Sequence, residues 1–296
     1  MNIKDIIKLP DQILPGTAAC PGCGLQLNLR LTLKVLGKRT VIVIPASCTS
    51  VIQGIYPGSA FNIVTINTAI ETAASLSSGI VAALEVRKIP DVTVLAWAGD
   101  GATFDIGLQA LSSVAERNEN LLYICYDNEA YMNTGIQRSG ATPLGAKTTT
   151  TPTGKREHKK DIFGIMYSHH IPYIASGCPS FPVDLVEKVK RAKETRGTRF
   201  IHLLSPCPPG WGYPSSMTIK VGKLAVETGI WVLYEVIDGS LKFTGLSKMI
   251  YEGRVRRKPI QEYLKMQRRF KGITEEDIRL IEEWVETYWD YLKKFT

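Results

Sequence analysis

No stretch of the sequence stays apolar for the ~18 residues that a membrane-spanning helix requires. The N-terminus, Met1-Asn2-Ile3-Lys4-Asp5, lacks the layout of a secretory signal. Both absences set the expectation of a cytoplasmic protein with no membrane partner. No internal repeat is visible. Nor does any RNA- or DNA-binding module accompany the net charge of +8. A basic surface attracts nucleic acid, anionic lipid and acidic proteins alike; without such a module, nucleic acid is not an expected partner. Cysteine is scarce, six in 296 residues. In a reducing compartment six cysteines read as metal ligands or core residues rather than disulfides.

What is present is a soluble globular composition, 44% hydrophobic and 22% charged, long enough for one large domain or two. The chain is organised around residues 91–140. Val92–Ala98 is a short apolar run that reads as a buried strand and ends in Gly99-Asp100-Gly101. A helical pattern follows from about Asp105 to Arg117. A second apolar run, Leu121–Tyr126, ends in Asp127-Asn128. Two strands of one parallel sheet would thus each deliver a polar residue to their C-terminal ends, the edge where open α/β sheets bind ligands. Asp100 is a hard oxygen donor of the kind magnesium takes, Asn128 adds an amide oxygen, and the Ala130 carbonyl adds a third. Magnesium completes its shell from water and phosphate. Glycines on both sides of Asp100 are expected to let the backbone approach an anion, and the following helix to turn its first amides toward it. The set leaves room for a diphosphate.

Gly99-Asp100-Gly101 followed at this distance by Asn128 resembles the thiamine-diphosphate signature. Alone, the three residues are an ordinary strand-to-helix turn. The longer run Tyr126-Asp127-Asn128-Glu129-Ala130-Tyr131-Met132-Asn133-Thr134-Gly135-Ile136-Gln137 resembles the β subunits of pyruvate:ferredoxin oxidoreductases (pyruvate synthases), within the 2-oxoacid:ferredoxin oxidoreductase family. The resemblance covers roughly Thr17 to Lys271. It implies thiamine diphosphate bound through Mg2+, with cofactor contacts from Ser47, Cys48, Thr49, Gly99, Asp100, Gly101, Asn128, Ala130, Asn133 and Thr134. Asn133 is expected at the reacting carbon, its amide donating to the 2-oxo oxygen of the substrate. The plainer reading of Asn133 is a cap on the turn before Gly135.

Cys20-Pro21-Gly22-Cys23-Gly24 has the spacing of a metal knuckle, which fits an iron–sulfur cluster or zinc; a pair of buried thiols is the bland alternative. Cys48 follows the β-branched run Val41–Ile44, and Cys207 follows Phe200–Leu204 between two prolines. Four cysteines are the usual set for a four-iron cluster, and zinc fits the count equally; only the neighbouring thiamine motif decides for a redox centre. The resemblance implies that Cys20, Cys23, Cys48 and Cys207 hold one 4Fe-4S cluster. Cys125 reads as core and Cys178 has no assigned role.

Residues 1–16 read as an irregular arm, 17–237 as the thiamine-diphosphate-binding domain, and 238–296 as a basic and helical extension. Helices are expected at Leu25–Leu36, Thr68–Arg87, Ile162–His170 and Asp184–Arg196, and a strand at Tyr173–Ser176. The small-residue helix Thr68–Arg87 is expected against the sheet or a second subunit. The Thr- and Gly-rich stretch 139–154 reads as a lid or binding loop, with a mobile surface segment as the alternative. Lys155–Lys160 reads as solvated, and His158, His169 and His170 as structural. Arg254–Lys271 holds eight basic residues and one acidic one, Glu262. It either docks ferredoxin or a partner subunit, or is a solvated face. Thr274-Glu275-Glu276-Asp277 resembles a capping box, ahead of a one-sided apolar helix that must dock on this domain or another chain.

The expected fold is α/β, a doubly wound, mainly parallel sheet of the thiamine-diphosphate-binding type. The resemblance implies oxidative decarboxylation of a 2-oxoacid with coenzyme A, giving acyl-CoA, carbon dioxide and reduced ferredoxin. Pyruvate is the first substrate to expect; branched-chain, aryl and dicarboxylic (oxalate-like) substrates stay open. A non-redox thiamine enzyme subunit with structural zinc is the rival class, and a non-catalytic subunit with a vestigial motif is another. The sequence shows no second thiamine-type domain with the Glu that activates the aminopyrimidine. It also lacks the Cys-x2-Cys-x2-Cys-x3-Cys-Pro run of ferredoxin-like subunits. Partner subunits of α, γ and δ type are therefore implied, in an obligate hetero-oligomer.

Overall fold

The computed structural model describes residues 3–296. Eight strands form one sheet: β1 (Thr40–Pro45), β2 (Val64–Thr68), β3 (Thr93–Gly99), β4 (Leu122–Asp127), β5 (Tyr173–Gly177), β6 (Arg199–Leu204), β7 (Tyr234–Ile237) and β8 (Ser240–Phe243). Their order is β2-β1-β3-β4-β6-β5-β7-β8. The first six pair in parallel; β7 joins β5 antiparallel, and β8 joins β7 likewise. Every residue of β4 and β6 is buried, as parallel strands covered on both faces must be. Alternate side chains feed two cores. Val94, Ala96 and Ala98 of β3 enter one, Leu95 and Trp97 the other.

The chain leaves β1 on one side to make β2, then crosses to the other side to make β3. The β1/β3 boundary is thus a switch point, where the C-terminal strand ends leave a crevice. Cys48, Asp100, Asn128 and Cys207 follow β1, β3, β4 and β6, four consecutive neighbours in the sheet.

Two details differ from the sequence expectation, and a third decides between its alternatives. The helix expected from Thr68 begins at Ala73, and Val64–Thr68 is a strand. As an edge strand it is only partly covered, with Val64 59% exposed, so it carries no buried apolar run. The N-terminal arm is not irregular throughout. Ile3–Lys8 is a short helix with Ile6 buried, and Leu14 N donates to Ala60 O (2.7 Å). Finally, the last helix, Glu275–Lys293, docks on this chain's own core. It is started by a reciprocal cap between Thr274 and Asp277 and buries Ile278, Ile281, Val285, Trp289 and Leu292. At roughly 1.5–3 kcal/mol for each large apolar side chain, that face holds the helix in place.

Candidate functional site

β3 and β4 end side by side, and the residues just beyond them are almost wholly covered: Asp100 is 1% exposed and Asn128 5%. Asn128 Oδ1 lies 3.0 Å from Asp100 Oδ1 and 2.9 Å from the Ala130 carbonyl oxygen. With its amide nitrogen on this side, Asn128 donates to both Asp100 Oδ1 and the Ala130 carbonyl; with its oxygen there, it brings a third oxygen to the same pair. Adjacent oxygens around a magnesium ion with bonds of 2.0–2.1 Å stand about 3 Å apart, a spacing these atoms share with ordinary hydrogen-bonded pairs. Burial, reinforced by nearby Asp127, pushes the Asp100 carboxyl well above its ordinary range, against the hydrogen bond that Ser139 Oγ donates to Asp100 Oδ2 (2.5 Å). A bound cation would supply the positive charge that this carboxylate needs.

A cavity of about 230 Å³ opens beside the triad. Ser47, Cys48, Gly99, Asp100, Gly101, Asn128, Ala130, Asn133 and Thr134 all line it; Thr49 is fully buried outside the lining. The Ser47 and Thr49 hydroxyls lie near Tyr126 but make no hydrogen bond of good geometry. Such orphaned polar atoms fit a wall that a polar ligand completes. Both glycines are also closely packed by tyrosine rings. A Cβ on Gly101 would fall 2.3 Å from the Tyr131 ring, and one on Gly99 3.2 Å from that of Tyr126. Gly101–Ile106 is a single π-helical turn before the helix Leu108–Glu116.

The Tyr131–Gln137 loop closes on itself, with Tyr131 N bonded to Gln137 O (2.9 Å) and Thr134 Oγ1 to Gln137 Oε1 (2.7 Å). Asn133 is exposed on the cavity lining, and its side chain makes no hydrogen bond among the described residues, so it caps no turn. The Thr148–Thr151 segment grips this loop: Thr149 N donates to Ile136 O (3.0 Å) and Thr150 Oγ1 accepts from Arg138 N (2.9 Å).

The four thiols singled out by sequence share one neighbourhood. Burial, with Cys23 and Cys20 nearby, pushes Cys48 and Cys207 each up to about 12; Asp100 adds to the rise at Cys48 and Cys48 to that at Cys207. All are free thiols. The knuckle is pressed on the Cys207 turn: Gly24 N donates to Pro206 O (3.0 Å), and a Cβ on Gly24 would strike Pro206. Among the described residues no three His, Cys, Asp or Glu side chains lie close enough to hold a single metal ion. Cys125 and Cys178 are fully buried elsewhere.

Several site residues escape sequence reasoning. Lys159 is not solvated; its Nζ bonds Asp127 Oδ2 (2.9 Å) and Glu129 Oε1 (2.7 Å). Lys155, 2% exposed, donates to Thr142 O (2.7 Å). Arg269, in the basic stretch, is 6% exposed and donates to Glu129 Oε2 (2.5 Å). His202 Nε2 bonds Asp127 Oδ2 (2.9 Å). Burial alone would raise the Asp127 carboxyl, but Lys159 and His202 bring it down to about 2. Burial also holds His202 below its ordinary range despite Asp127, so its imidazole is neutral at pH 7. A larger cavity of about 340 Å³, lined by His202, Lys159 and aromatic side chains including Trp231 and Tyr288, contains none of the expected cofactor residues.

Residues 48–203 match the thiamine pyrophosphate enzyme family, C-terminal TPP binding domain. The chain is 49% identical over 288 residues to pyruvate synthase subunit PorB of Methanothermobacter thermautotrophicus, covering 95% of this chain and 98% of that one. It is 45% identical over 305 residues to ketoisovalerate oxidoreductase subunit VorB of Pyrococcus abyssi, covering 99% and 96%. Among solved structures it resembles 2-oxoglutarate:ferredoxin oxidoreductase from Magnetococcus marinus, with 2-oxoglutarate, coenzyme A and succinyl-CoA bound. That match has a TM-score of 0.58 and 26% identity, over 70% of this chain and 68% of the other. With its thiamine pyrophosphate-binding domain and near full-length likeness to PorB and VorB, the chain belongs to the 2-oxoacid:ferredoxin oxidoreductase family, as an enzyme subunit that works with partner subunits.

Proposed function

We propose that the chain is the thiamine-binding, cluster-bearing subunit of a pyruvate:ferredoxin oxidoreductase, assembled with α-, γ- and δ-type subunits. The reaction is CoA-dependent oxidative decarboxylation of pyruvate to acetyl-CoA and carbon dioxide, with ferredoxin reduced. The observation that carries this reading is the meeting of Asp100, Asn128 and the Ala130 carbonyl on the cavity wall that Cys48 also lines. Pyruvate is chosen over a branched-chain 2-oxoacid because the PorB relative stands at 49% identity and the VorB relative at 45%.

When bound, thiamine diphosphate supplies the electron sink for decarboxylation and the cluster takes electrons singly. This chain's residues do the rest. Asp100, Asn128 and the Ala130 carbonyl would hold Mg2+, whose charge would bind the diphosphate. Ser47 offers a hydroxyl at the wall. Asn133, free of other bonds, donates its amide to the 2-oxo oxygen of the substrate, where negative charge grows. Cys20, Cys23, Cys48 and Cys207 would hold the 4Fe-4S cluster as thiolates; burial raises Cys23, Cys48 and Cys207 in its absence, so ligation by these three would release protons.

The test is Asp100→Ala in the assembled complex, read by thiamine diphosphate and iron content. Loss of the cofactor with iron retained is expected. Full thiamine diphosphate occupancy in that variant sinks the metal assignment. A colourless wild-type complex with bound zinc would move the chain to the non-redox thiamine enzymes.

A further inference from the structure

Asp127 and Glu129 bracket Asn128, and neither carboxylate joins the oxygen triad. Instead they meet two cations, Lys159 and Arg269, in a buried group of two negative and two positive charges. The turn they flank is strained: Glu129 has φ +66, a region that side-chain-bearing residues avoid. Glu129 N is held by Asp127 Oδ1 (2.9 Å), and Glu129 O by Thr142 Oγ1 (2.7 Å). Arg269 reaches this turn from far along the chain. It bonds the Glu129 carboxylate and lies with Cζ 4.0 Å from the centroid of the Trp211 ring. Its Nε is fixed by Gln267 Oε1 (2.9 Å). Trp211 Nε1 donates to the Asn128 carbonyl (2.8 Å), and Trp211 N donates to the Cys207 carbonyl (2.8 Å). Arg269 therefore touches the metal turn twice, through Glu129 and through Trp211. Trp211 in turn is anchored on the Cys207 turn.

We propose that Arg269 is a positioning residue for the cofactor: it clamps the Asn128–Ala130 turn, through Glu129 and Trp211, in the shape that aims two oxygens at the cation, and ties that turn to the one bearing Cys207. This rests on the metal reading above. A planar guanidinium serves both contacts, bonding a carboxylate along its edge while stacking its face on indole. A lysine in its place keeps the charge and loses the stack. The clamp needs no contact between Arg269 and the diphosphate or substrate.

The experiment titrates Mg2+ against thiamine diphosphate retention in the purified complex carrying Arg269→Met, Arg269→Lys or the charge-neutral pair Arg269→Met/Glu129→Met. Arg269→Met should raise the Mg2+ needed for half-maximal retention at least tenfold, with iron content unchanged. Arg269→Lys should recover part of the loss. At saturating Mg2+ and thiamine diphosphate, turnover should return to within about twofold of wild type, because Arg269 touches no reacting atom. The double variant leaves no buried charge unpaired, so it separates positioning from folding; it should assemble and still need more Mg2+. Wild-type Mg2+ dependence in an assembled Arg269→Met or double variant overturns the proposal. So does failure of all three variants to assemble, which would make the group purely structural. If Asp100→Ala keeps its cofactor the metal reading falls; if Asp100→Ala loses it while Arg269→Met binds normally, only the clamp falls.

Discussion

Gly99 and Gly101 flank the same aspartate, yet an added methyl group should have unequal effects. Neither has a positive φ, so alanine fits the backbone at both. Replacing glycine where the backbone permits stabilises by about 0.4–1 kcal/mol through the unfolded chain. At Gly99 the new carbon would meet Cε2, Cζ and Oη of Tyr126 at 3.2 Å, an overlap of a few tenths of an ångström that a ring shift relieves. At Gly101 it would meet Cε1, Cζ and Cδ1 of Tyr131 at 2.3, 2.6 and 2.7 Å. Carbon contacts are comfortable near 3.5–4.0 Å, so the ring must leave. Its hydroxyl then gives up Gly101 O and Asp105 Oδ2, each at 3.2 Å, and Met132–Thr134 move with it. Overpacking of this kind costs about 1–3 kcal/mol.

Gly99→Ala should therefore change stability by under about 1 kcal/mol and keep thiamine diphosphate, while Gly101→Ala should lose both stability and cofactor. The decisive assay is a double-mutant cycle with Tyr131→Ala, read by thermal unfolding of the complex and cofactor retention. With the ring gone, Gly101→Ala should be neutral or slightly stabilising, giving a coupling of about 1–3 kcal/mol. Additivity of the two substitutions, or a Gly101→Ala complex with wild-type melting and full cofactor, would refute the steric argument.

Three further outcomes are expected. Cys207→Ser should bleach the visible absorption or change the electron paramagnetic resonance signal, whereas Cys125→Ser and Cys178→Ser, at fully buried sites away from the thiol group, should leave both intact; the reverse pattern would mean that another set of thiols holds the iron. Asn133→Ala should lower kcat about 10²–10³-fold, the size of losing one donor at a developing oxyanion, with thiamine and iron contents unchanged; normal turnover, or loss of cofactor instead, removes Asn133 from the reaction. Burial keeps His202 neutral in the fold, so on acidification the unfolded chain takes up this proton first; the stabilisation is complete above the ordinary histidine value of 6.5 and shrinks as pH falls below it, by at most about 1.4 kcal/mol per pH unit. His202→Gln, which keeps a donor for Asp127 but does not titrate, should flatten the melting temperature between pH 6.5 and 5; an unchanged slope would assign the acid sensitivity to other groups.

The unequal legibility of the site has a physical cause. Asp100, Asn128, Cys48 and Cys207 can be located from sequence because each follows a short apolar run, and a residue directly after a parallel strand has one place to be. Periodicity likewise marks the Glu275–Lys293 helix, whose apolar face is continuous. It is silent on Lys159 and Arg269. Both sit in charged runs that read as solvated, and what buries them is a carboxylate 30 and 140 residues away, Glu129. Charge balance supplies part of the missing constraint. Asp127 ends a fully buried strand and Glu129 precedes a buried alanine, so two carboxylates leave water together and require two cations. With 36 Lys and Arg residues in the chain, that requirement alone does not choose among them. The choice is made in three dimensions. The Cys207 turn carries Trp211 to the end of β4, and its indole face selects a planar guanidinium from the basic stretch over the ammonium groups beside it.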